Sequence, residues 1–348
     1  MGLAERLGPE GQVLVSAAGI YSCYLYYGVL QERIYRPDPV TGDRFGATLF
    51  LLTVQCLFNF GLGALALAVA GGPGTTKPAL EAAQRSPLPF RHSGVTWLAF
   101  ISLSYMSAMG CSNQSLQFVS YPFQALAKSC KMVPVMLGNV LLGGKRYSAL
   151  EYLVVLLITG GVVLFQLANS KKSFSEGNTW WGMALLFGSL ALDGFTSSNQ
   201  KLFSDEFRPS GHYMMMHMNL WSLFFLLPLL ALTGEGQAGL EYVLAHTGLM
   251  WDIALFGLCS ALGQQFIFFC VVGPGPLVCT TITTTRKFFT VLLSVLWFPD
   301  NKLSNLQWVA VGSVFAGLML ELWQKSSHSK GKPAKPSDGK SGAAKKAD

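Results

Sequence analysis

Long apolar segments alternate with short polar connections along almost the whole chain. Ten segments are long enough to cross a bilayer as helices, because about 20 apolar residues span its hydrocarbon core. The pattern predicts ten spans, at about 12–30, 46–70, 95–119, 121–142, 150–167, 180–200, 213–232, 251–272, 278–298 and 306–323. The first segment exceeds a signal-peptide core and has no small-residue cleavage site, so it is predicted to be a retained helix.

Two of the ten predicted spans carry cations near their midpoints. The fourth contains Lys128 and Lys131, and the ninth contains Arg286 and Lys287. At about 2.5 to 3.5 kcal/mol per cation, burying four costs roughly 10 to 14 kcal/mol. Ionisable residues inside a membrane usually mark a ligand or ion pathway. The four cations therefore predict a water-filled cavity with an anionic ligand.

A purely structural role for these cations is the alternative. Each could pair with an acid on a neighbouring helix, in which case the protein would be a receptor or scaffold with an ion-pair network. Acids are scarce, however: Asp193 is the only carboxylate placed well inside a span, and Glu32, Asp252 and Glu321 lie near predicted membrane edges.

The arrangement of the cations favours phosphate as the ligand group. Lys128 and Lys131 are three residues apart, about 4.5 Å along one helical face. Arg286 and Lys287 diverge by about 100° around their helix. Lysine charges and an arginine fork both suit phosphate oxygens. Four cations exceed the need of a carboxylate or one monophosphate, so a di- or triphosphate is the better candidate.

Other polar residues within the spans are candidates to line the cavity. Asn113 and Gln117 share a helical face of the third span, and Gln264 lies in the eighth. Hydroxyl donors could come from Thr280, Thr281, Thr283 and Thr284, and stacking on a base from Tyr26, Tyr27, Tyr105 or Tyr121. Small polar residues in membranes also serve simply to pack helices together.

Composition narrows the class of protein. With 51% hydrophobic and 12% charged residues, the chain is predicted to be an all-α polytopic membrane protein. The seven cysteines lack metal-site spacing, and His217 has no second ligand nearby, so neither a disulfide framework nor a metal site is predicted. We expect that the protein is not an enzyme and has no cofactor, because nucleophile, acid–base and Walker motifs are absent from the sequence.

A weak internal repeat divides the spans into two halves. An offset of 156 places Lys131 on Lys287, Ser148 on Ser304 and Gly161 on Gly317. Five spans per half is an odd number, so the halves must insert with opposite orientations, as in many secondary transporters. The predicted organisation is a cytosolic N-terminus at 1–11, repeats at 12–168 and 180–324, and a basic disordered tail at 325–348.

Charge distribution predicts the orientation. With the N-terminus in the cytosol, fifteen of the 25 Lys and Arg residues are cytosolic, six are on the other side and four are within spans. The positive-inside rule therefore places both termini in the cytosol. Much of the net charge of +7 comes from the seven lysines of the tail, so nucleic-acid binding is not predicted.

Six stretches resemble the nucleotide-sugar transporter family known as solute carrier family 35, subfamily B. They are YYGVLQE at 26–32, SNQSLQFVSYPFQALAKSCKMVPVM at 112–136, LALDG at 190–194, NLWS at 219–222, SALGQQFIF at 260–268 and TTITTTRKFFT at 280–290. The resemblance implies the ten-helix drug/metabolite transporter fold and alternating-access exchange of nucleotide derivatives. It also implies that Lys128, Lys131, Arg286 and Lys287 hold phosphates, and that Glu32 gates or orients the site.

The resemblance leaves several substrates open. ATP/ADP, UDP-galactose or UDP-glucose, and the sulfate donor PAPS are all associated with the subfamily, and the cation count favours the more highly charged ones. The chain ends with Lys345 and Lys346 before Ala347 and Asp348. This ending resembles a dilysine signal read by the retrograde vesicle coat, which implies an endoplasmic-reticulum membrane protein. The sequence leaves a homodimer open.

Overall fold

The protein is all-helical throughout the part of the chain that the structure describes. A computed structural model describes residues 8–37, 42–69, 94–131, 133, 136, 148–173, 179–207, 209–298 and 303–330. Its eleven α-helices in those ranges are α1 (Pro9–Tyr35), α2 (Thr48–Val69), α3 (Gly94–Ser115), α4 (Tyr121–Ala127), α5 (Ala149–Ser173), α6 (Thr179–Phe207), α7 (Gly211–Thr233), α8 (Glu235–Ala245), α9 (Thr247–Val272), α10 (Pro276–Trp297) and α11 (Asn305–Lys330).

Seven of these helices are long and apolar enough to cross a membrane: α1, α2, α3, α5, α7, α9 and α11. The all-α multi-pass membrane class is therefore confirmed. With 29 and 22 residues, α6 and α10 are also long enough. They are not among the seven, and α10 is the helix that carries Arg286 and Lys287.

Several helices extend beyond the apolar segments that predicted them. Helix α6 continues through residues 201–207, beyond the end of the sixth predicted span at about residue 200. Helix α11 continues to Lys330, past the predicted start of the tail at 325. Backbone hydrogen bonds need not stop where apolar side chains stop, so hydropathy sets a helix's membrane-embedded part rather than its length. Residues 1–7 of the predicted N-terminal segment, residues 70–93 between the second and third spans, and the predicted tail beyond Lys330 lie outside the described residues.

The fourth predicted span differs most from expectation. A continuous helix was expected from Tyr121 to Leu142. The structure has an α-helix over Tyr121–Ala127, followed by a 3₁₀ turn over Lys128–Lys131, and residues 137–142 of the predicted span lie outside the described residues. Such a turn within a helix often marks a functional hinge. The change of helix type therefore coincides with the predicted cationic pair.

Helix α8 was not predicted. Gly234 has a φ of 73° and separates it from α7, because a left-handed residue ends an α-helix. The carboxylate of Glu235 accepts a hydrogen bond from the backbone N of Leu49 at 2.9 Å. This contact satisfies an orphan donor at the start of α2 and fixes α8 against that helix.

The helices pack largely as antiparallel pairs. Arg33, near the end of α1, pairs with Asp252, near the start of α9, at 2.8 Å. The pairs α2 with α7, α3 with α6 and α5 with α11 are the other extensive contacts. Helix α10 joins α1, α4 and α11, so it lies between the α5–α11 pair and the rest of the bundle.

The residues that cap the N-termini of α5 and α11 are related by the same 156-residue offset as the sequence repeat. Ser148 and Glu151 form a capping box at the start of α5, with the Ser148 N donating to the glutamate at 2.6 Å. Ser304 and Gln307 repeat it at the start of α11, with the Ser304 N donating to the Gln307 Oε1 at 2.9 Å. The two helices begin with the same device, residue for residue.

The same offset appears in the contact between the two helices. A Cβ on Gly161 would lie 2.7 Å from Val314, and one on Gly317 would lie 2.7 Å from Ile158. Each contact becomes the other when 156 is added to or subtracted from its residue numbers. Absence of a side chain lets the backbones approach closely, as small residues do between membrane helices. The pair therefore has approximate two-fold symmetry.

Candidate functional site

A polar cavity of about 210 Å³ lies at the centre of the bundle. Its walls come from α1, α2, α3, α4, α9, α10 and the 3₁₀ turn that follows α4. The lining residues are Tyr24, Tyr27, Gln31, Gln55, Tyr105, Tyr121, Gln124, Ala125, Lys128, Ser260, Gln264, Arg286, Lys287 and Thr290. We call it the central cavity.

Three of the four predicted cations line the central cavity. Lys128 begins the 3₁₀ turn, and Arg286 and Lys287 project from α10. Helix α4, which leads directly into the turn, packs against α10, so cations from the two halves of the sequence meet in one cavity. The backbone of Lys131 ends the same 3₁₀ turn, and its side chain lies outside the described part of the chain.

The Arg286 guanidinium is held by an aromatic ring. Its Cζ lies 4.8 Å from the centre of the Tyr24 ring, which is a cation–π contact. Its Nε is buried and has no hydrogen-bond partner among the described residues. A buried donor without a partner is costly, about 1 to 3 kcal/mol and more when charged. The atom is therefore suited to an acceptor supplied by a ligand.

The acids near the site are engaged elsewhere. Asp252 pairs with Arg33, and Glu32 pairs with Arg36 at 3.2 Å. Within the described residues Asp193 forms no ion pair, and neither does Arg286. The receptor or scaffold alternative requires each cation to pair with an acid. The structure does not pair Arg286 with any acid of the described residues.

Glu32 lies in the last turn of α1, next to Gln31, which lines the central cavity. Its Oε2 accepts a hydrogen bond from the Ser294 hydroxyl at 2.6 Å. Arg36, its ion-pair partner, also covers the ring of Phe298, 4.0 Å from its centre. Glu32 itself is only 6% exposed. Together with the Arg33–Asp252 pair, these contacts form what we call the closed end of the bundle.

The aromatic candidates have different environments. Tyr27 lines the cavity, but its ring stacks on Phe256 with centres 4.2 Å apart, so one face is already covered. Tyr121 and Tyr105 also line the cavity. Tyr26 is 44% exposed and lines none of the cavities described here.

The amide candidates are divided between two places. Gln264 lines the cavity and lies 3.5 Å from the Tyr24 hydroxyl. Asn113 does not line it, and instead accepts a hydrogen bond from Gln31 at 2.8 Å. Gln117 lies past the end of α3 and donates to the Gly46 carbonyl at 3.2 Å. The expected shared helical face fails because α3 ends at Ser115 before it reaches Gln117.

The threonine candidates do not line the central cavity. Thr283 donates its hydroxyl to the Cys279 carbonyl at 2.8 Å, within its own helix. Cavity-lining residues that sequence reasoning missed include Tyr24, Gln31, Gln55, Gln124, Ser260 and Thr290. A signal existed for some of them. Gln31 adjoins Glu32 in the first-helix motif, and Ser260 is four residues from Gln264, which places both on one face of α9.

A second, larger cavity adjoins the first. It has about 470 Å³ and shares Tyr105 and Gln264 with the central cavity. Phe268 and Val271, near the end of α9, line it together with Lys201 on α6. Because α9 runs antiparallel to α1, this second cavity lies towards the end of the bundle where α1 begins. We call it the vestibule.

Comparison with known proteins relates the chain to membrane transporters. A sequence model of the UAA transporter family matches residues 12–325. "Solute carrier family 35 member B1" of Gallus gallus is 42% identical over 308 residues, covering 87% of this chain and 90% of that protein. The protein of that name from Dictyostelium discoideum is 38% identical over 333 residues, covering 94% and 81%.

One solved crystal structure extends the comparison to the fold. It matches with a TM-score of 0.54 over 89% of this chain and 96% of its own, at 13% sequence identity. At this level of identity the likeness concerns the fold alone.

Proposed function

The chain belongs to the UAA transporter family, and from that premise we propose that it exchanges nucleotides or nucleotide sugars across the endoplasmic-reticulum membrane by alternating access. The observation that carries the proposal is the central cavity, where Lys128, Arg286 and Lys287 converge. Several cations in a partly desolvated cavity match the negative charge of a di- or triphosphate.

The relatives are solute carriers by name, so the chain is a transporter rather than an enzyme. Its polar groups accordingly have to bind a solute and release it unchanged. Binding has to be strong enough to load the site and weak enough to empty it. Conformational change then determines the side from which the solute is bound or released.

We place the cavity at the interface of two inverted five-helix repeats, ten spans in all. The antiparallel, approximately two-fold contact between α5 and α11 supports this arrangement, since it relates the last helix of each half. The origin of the cations supports it as well. Lys128 follows α4 and Arg286 lies on α10, and the offset of 156 that places Lys131 on Lys287 relates these two segments of the halves. Substrate sites of such transporters lie near the bilayer midplane at the repeat interface.

The shape of the bundle supports alternating access. The vestibule adjoins the central cavity at the end where α1 begins, whereas the closed end lies where α1 finishes. In our account the structure represents the state open towards the N-terminal end of α1. Opening of the other side would require breaking the contacts of Arg33 and Arg36 with Asp252, Glu32 and Phe298.

We propose that the vestibule faces the cytosol. The distribution of Lys and Arg favours cytosolic termini, and the vestibule lies at the end of the bundle where α1 begins. Lys201 at its wall would attract anionic solutes. The proposed coat-recognition residues Lys345 and Lys346 lie outside the described residues, on the same predicted side.

The volumes of the cavities bear on the substrate. Ligand pockets usually have about 300 to 1,000 Å³, which exceeds the 210 Å³ of the central cavity alone. We therefore propose that a bound nucleotide extends into the vestibule. The cation cluster favours ATP and ADP over UDP-galactose or UDP-glucose, with PAPS as the further candidate of high charge.

Thermal stabilisation of the detergent-purified protein tests the proposal. The panel consists of ATP, ADP, UDP-galactose, UDP-glucose, UMP and PAPS. A ligand at 100 times its Kd stabilises the folded state by about 2.7 kcal/mol, so at least one compound should raise the melting temperature. Arg286→Gln should lose the shift. Arg44→Gln, at an exposed arginine outside both cavities, should keep it. No shift with any compound would contradict the proposed function.

A further inference from the structure

One buried amide in the central cavity has an unused hydrogen-bonding atom. Gln55 on α2 is 3% exposed and lines the cavity. Its Oε1 is buried and has no hydrogen-bond partner among the residues that the structure describes. Most buried polar side-chain atoms in proteins have at least one partner, so an unpartnered one inside a binding cavity needs an explanation.

The other side of the same amide is held firmly. The Gln55 Nε2 donates to the Ser260 hydroxyl on α9 at 2.8 Å and lies 3.4 Å from the Tyr27 hydroxyl on α1. Tyr27 is in turn fixed by stacking on Phe256. With Nε2 engaged by two helices, the carbonyl oxygen is fixed as an acceptor. No reorganisation is then needed when a donor arrives.

Gln55 is separated from the cations by aromatic rings. Arg286 covers the Tyr24 ring, and the Tyr24 and Tyr27 rings have centres 6.0 Å apart. Tyr27 then leads to Gln55 through its hydroxyl. The cavity therefore has two chemically different parts. Its cationic part on the 3₁₀ turn and α10 needs an acceptor such as phosphate, and its neutral part on α2 and α9 needs a donor.

We infer that Gln55, positioned by Ser260, determines specificity by accepting a hydrogen bond from the uncharged end of the substrate, a base N–H or a sugar O–H. The inference rests on the proposed nucleotide binding and assigns a role that phosphate recognition cannot fill. The cations hold any polyphosphate, whereas the amide distinguishes a nucleotide from its bare phosphate chain. A site built to hydrogen-bond a substrate group discriminates against analogues that lack it.

Paired affinity measurements on the full-length purified protein test the inference. The probes are ATP with inorganic tripolyphosphate, and UDP-glucose with inorganic pyrophosphate. Gln55→Met removes the acceptor at similar volume. Loss of one neutral hydrogen bond should weaken nucleotide binding about 3- to 10-fold, while the affinity for the polyphosphate stays within about twofold. Gln114→Met is the matched control, because Gln114 bonds Thr48 outside both cavities and its loss should change neither affinity.

Two further arms keep the inference testable if Gln55→Met does not fold. Ser260→Ala leaves Gln55 in place but removes the acceptor that orients it, and should weaken nucleotide binding without affecting polyphosphate. The second arm measures binding of ATP analogues to the unsubstituted protein. Purine riboside triphosphate lacks the base amino group, and dideoxy-ATP lacks the ribose hydroxyls. The analogue that binds more weakly identifies the donor, and 3-methyl-UDP and dideoxy-UDP serve for uridine.

The outcomes separate the two proposals. Failure of the unsubstituted protein to bind either nucleotide overturns the proposed function and this inference with it. Normal binding by the unsubstituted protein, combined with equal affinities in Gln55→Met, overturns the inference alone. An equal loss for nucleotide and polyphosphate also overturns it, since Gln55 would then act on the cationic part. Full affinity for every donor-deficient analogue has the same consequence.

Discussion

Arg286 is the residue whose surroundings point most directly to a ligand. It is a charged group on a helix of membrane-spanning length, and it is held by a tyrosine ring rather than by an acid of the described chain. Its buried Nε lacks a partner among the described residues. Lysine would keep the charge but would lose this donor, the planar fork and the stacking on Tyr24.

Arg286→Lys therefore separates charge from geometry. We expect it to weaken nucleotide binding less than Arg286→Gln does, with a loss of about 10- to 150-fold from one charge-assisted hydrogen bond and a smaller loss from the altered cation–π contact. Titration calorimetry on both variants measures the two losses. Equal affinity of Arg286→Lys and the unsubstituted protein would mean that only the charge matters.

Single residues also set the limit of prediction from sequence. Cations in apolar segments are conspicuous, and the structure brings Lys128, Arg286 and Lys287 together as expected. Gln55 and Asn113 look alike in the sequence, as polar residues within spans. Only the packing of α2 against α9 directs Gln55 to the cavity, while Asn113 does not line the cavity and instead bonds Gln31 from behind its wall. The difference depends on neighbouring helices, which one segment's pattern does not contain.

Among the secondary-structure elements, the lengths of the apolar segments predicted most of the helices but not where those helices end. It detected the apolar part of α6 but not its last two turns, and it did not detect α8, whose eleven residues are too short for a span. The 3₁₀ turn at Lys128–Lys131 was equally invisible, because an apolar run with two lysines has the same composition whether its helix is α or 3₁₀.

The glycines between α5 and α11 allow a matched test of helix packing. A Cβ on Gly161 would lie 2.8 Å from the Ala310 carbonyl, whereas Gly160 and Gly312 have nothing within 4 Å. Gly161→Ala should destabilise the protein by about 1 to 3 kcal/mol through overpacking. Gly160→Ala and Gly312→Ala should be neutral or stabilising, because alanine is the better helix former.

The melting temperatures of these three variants, of Gly317→Ala and of the unsubstituted protein measure these effects. By the two-fold relation, Gly317→Ala should behave like Gly161→Ala. A melting temperature for Gly161→Ala and Gly317→Ala as high as that of the two controls would argue against the tight contact and its symmetry.

The closed end provides a second test at the element scale. Arg33→Asp should slow exchange by placing two acids opposite each other across α1 and α9, and Arg33→Asp combined with Asp252→Arg should restore part of the rate. Nucleotide binding in detergent should stay within about twofold, because neither residue lines the central cavity. An exchange rate in the double variant no higher than that of Arg33→Asp would contradict direct pairing as the cause.

For the whole molecule, we propose a two-state transporter that combines a charged central cavity, an open vestibule and a closed opposite end. The sequence predicted the membrane class and the cationic centre, because both depend on composition and on charges in apolar segments. Direction of opening could not be predicted, since it depends on small differences in free energy between two packings of the same helices.

Localisation is a prediction about the molecule as a whole. Lys345→Ala with Lys346→Ala should move part of the protein from the reticulum to later compartments, because the proposed coat signal would be absent. Fluorescence microscopy of tagged protein measures the distribution, with the tag placed at the N-terminus so that the C-terminal signal stays free. Unchanged retention would show that another determinant holds the protein there.

Exchange in proteoliposomes tests directly whether the protein carries nucleotides across a membrane. Purified protein is reconstituted into liposomes that are empty or loaded with unlabelled nucleotide, and uptake of the labelled nucleotide that stabilised it most is followed. We predict rapid uptake only into loaded liposomes containing the unsubstituted protein, and strongly reduced uptake with Arg286→Gln. Nucleotide exchange through the cationic cavity is wrong if Arg286→Gln takes up as much as the unsubstituted protein, or if neither exceeds protein-free liposomes.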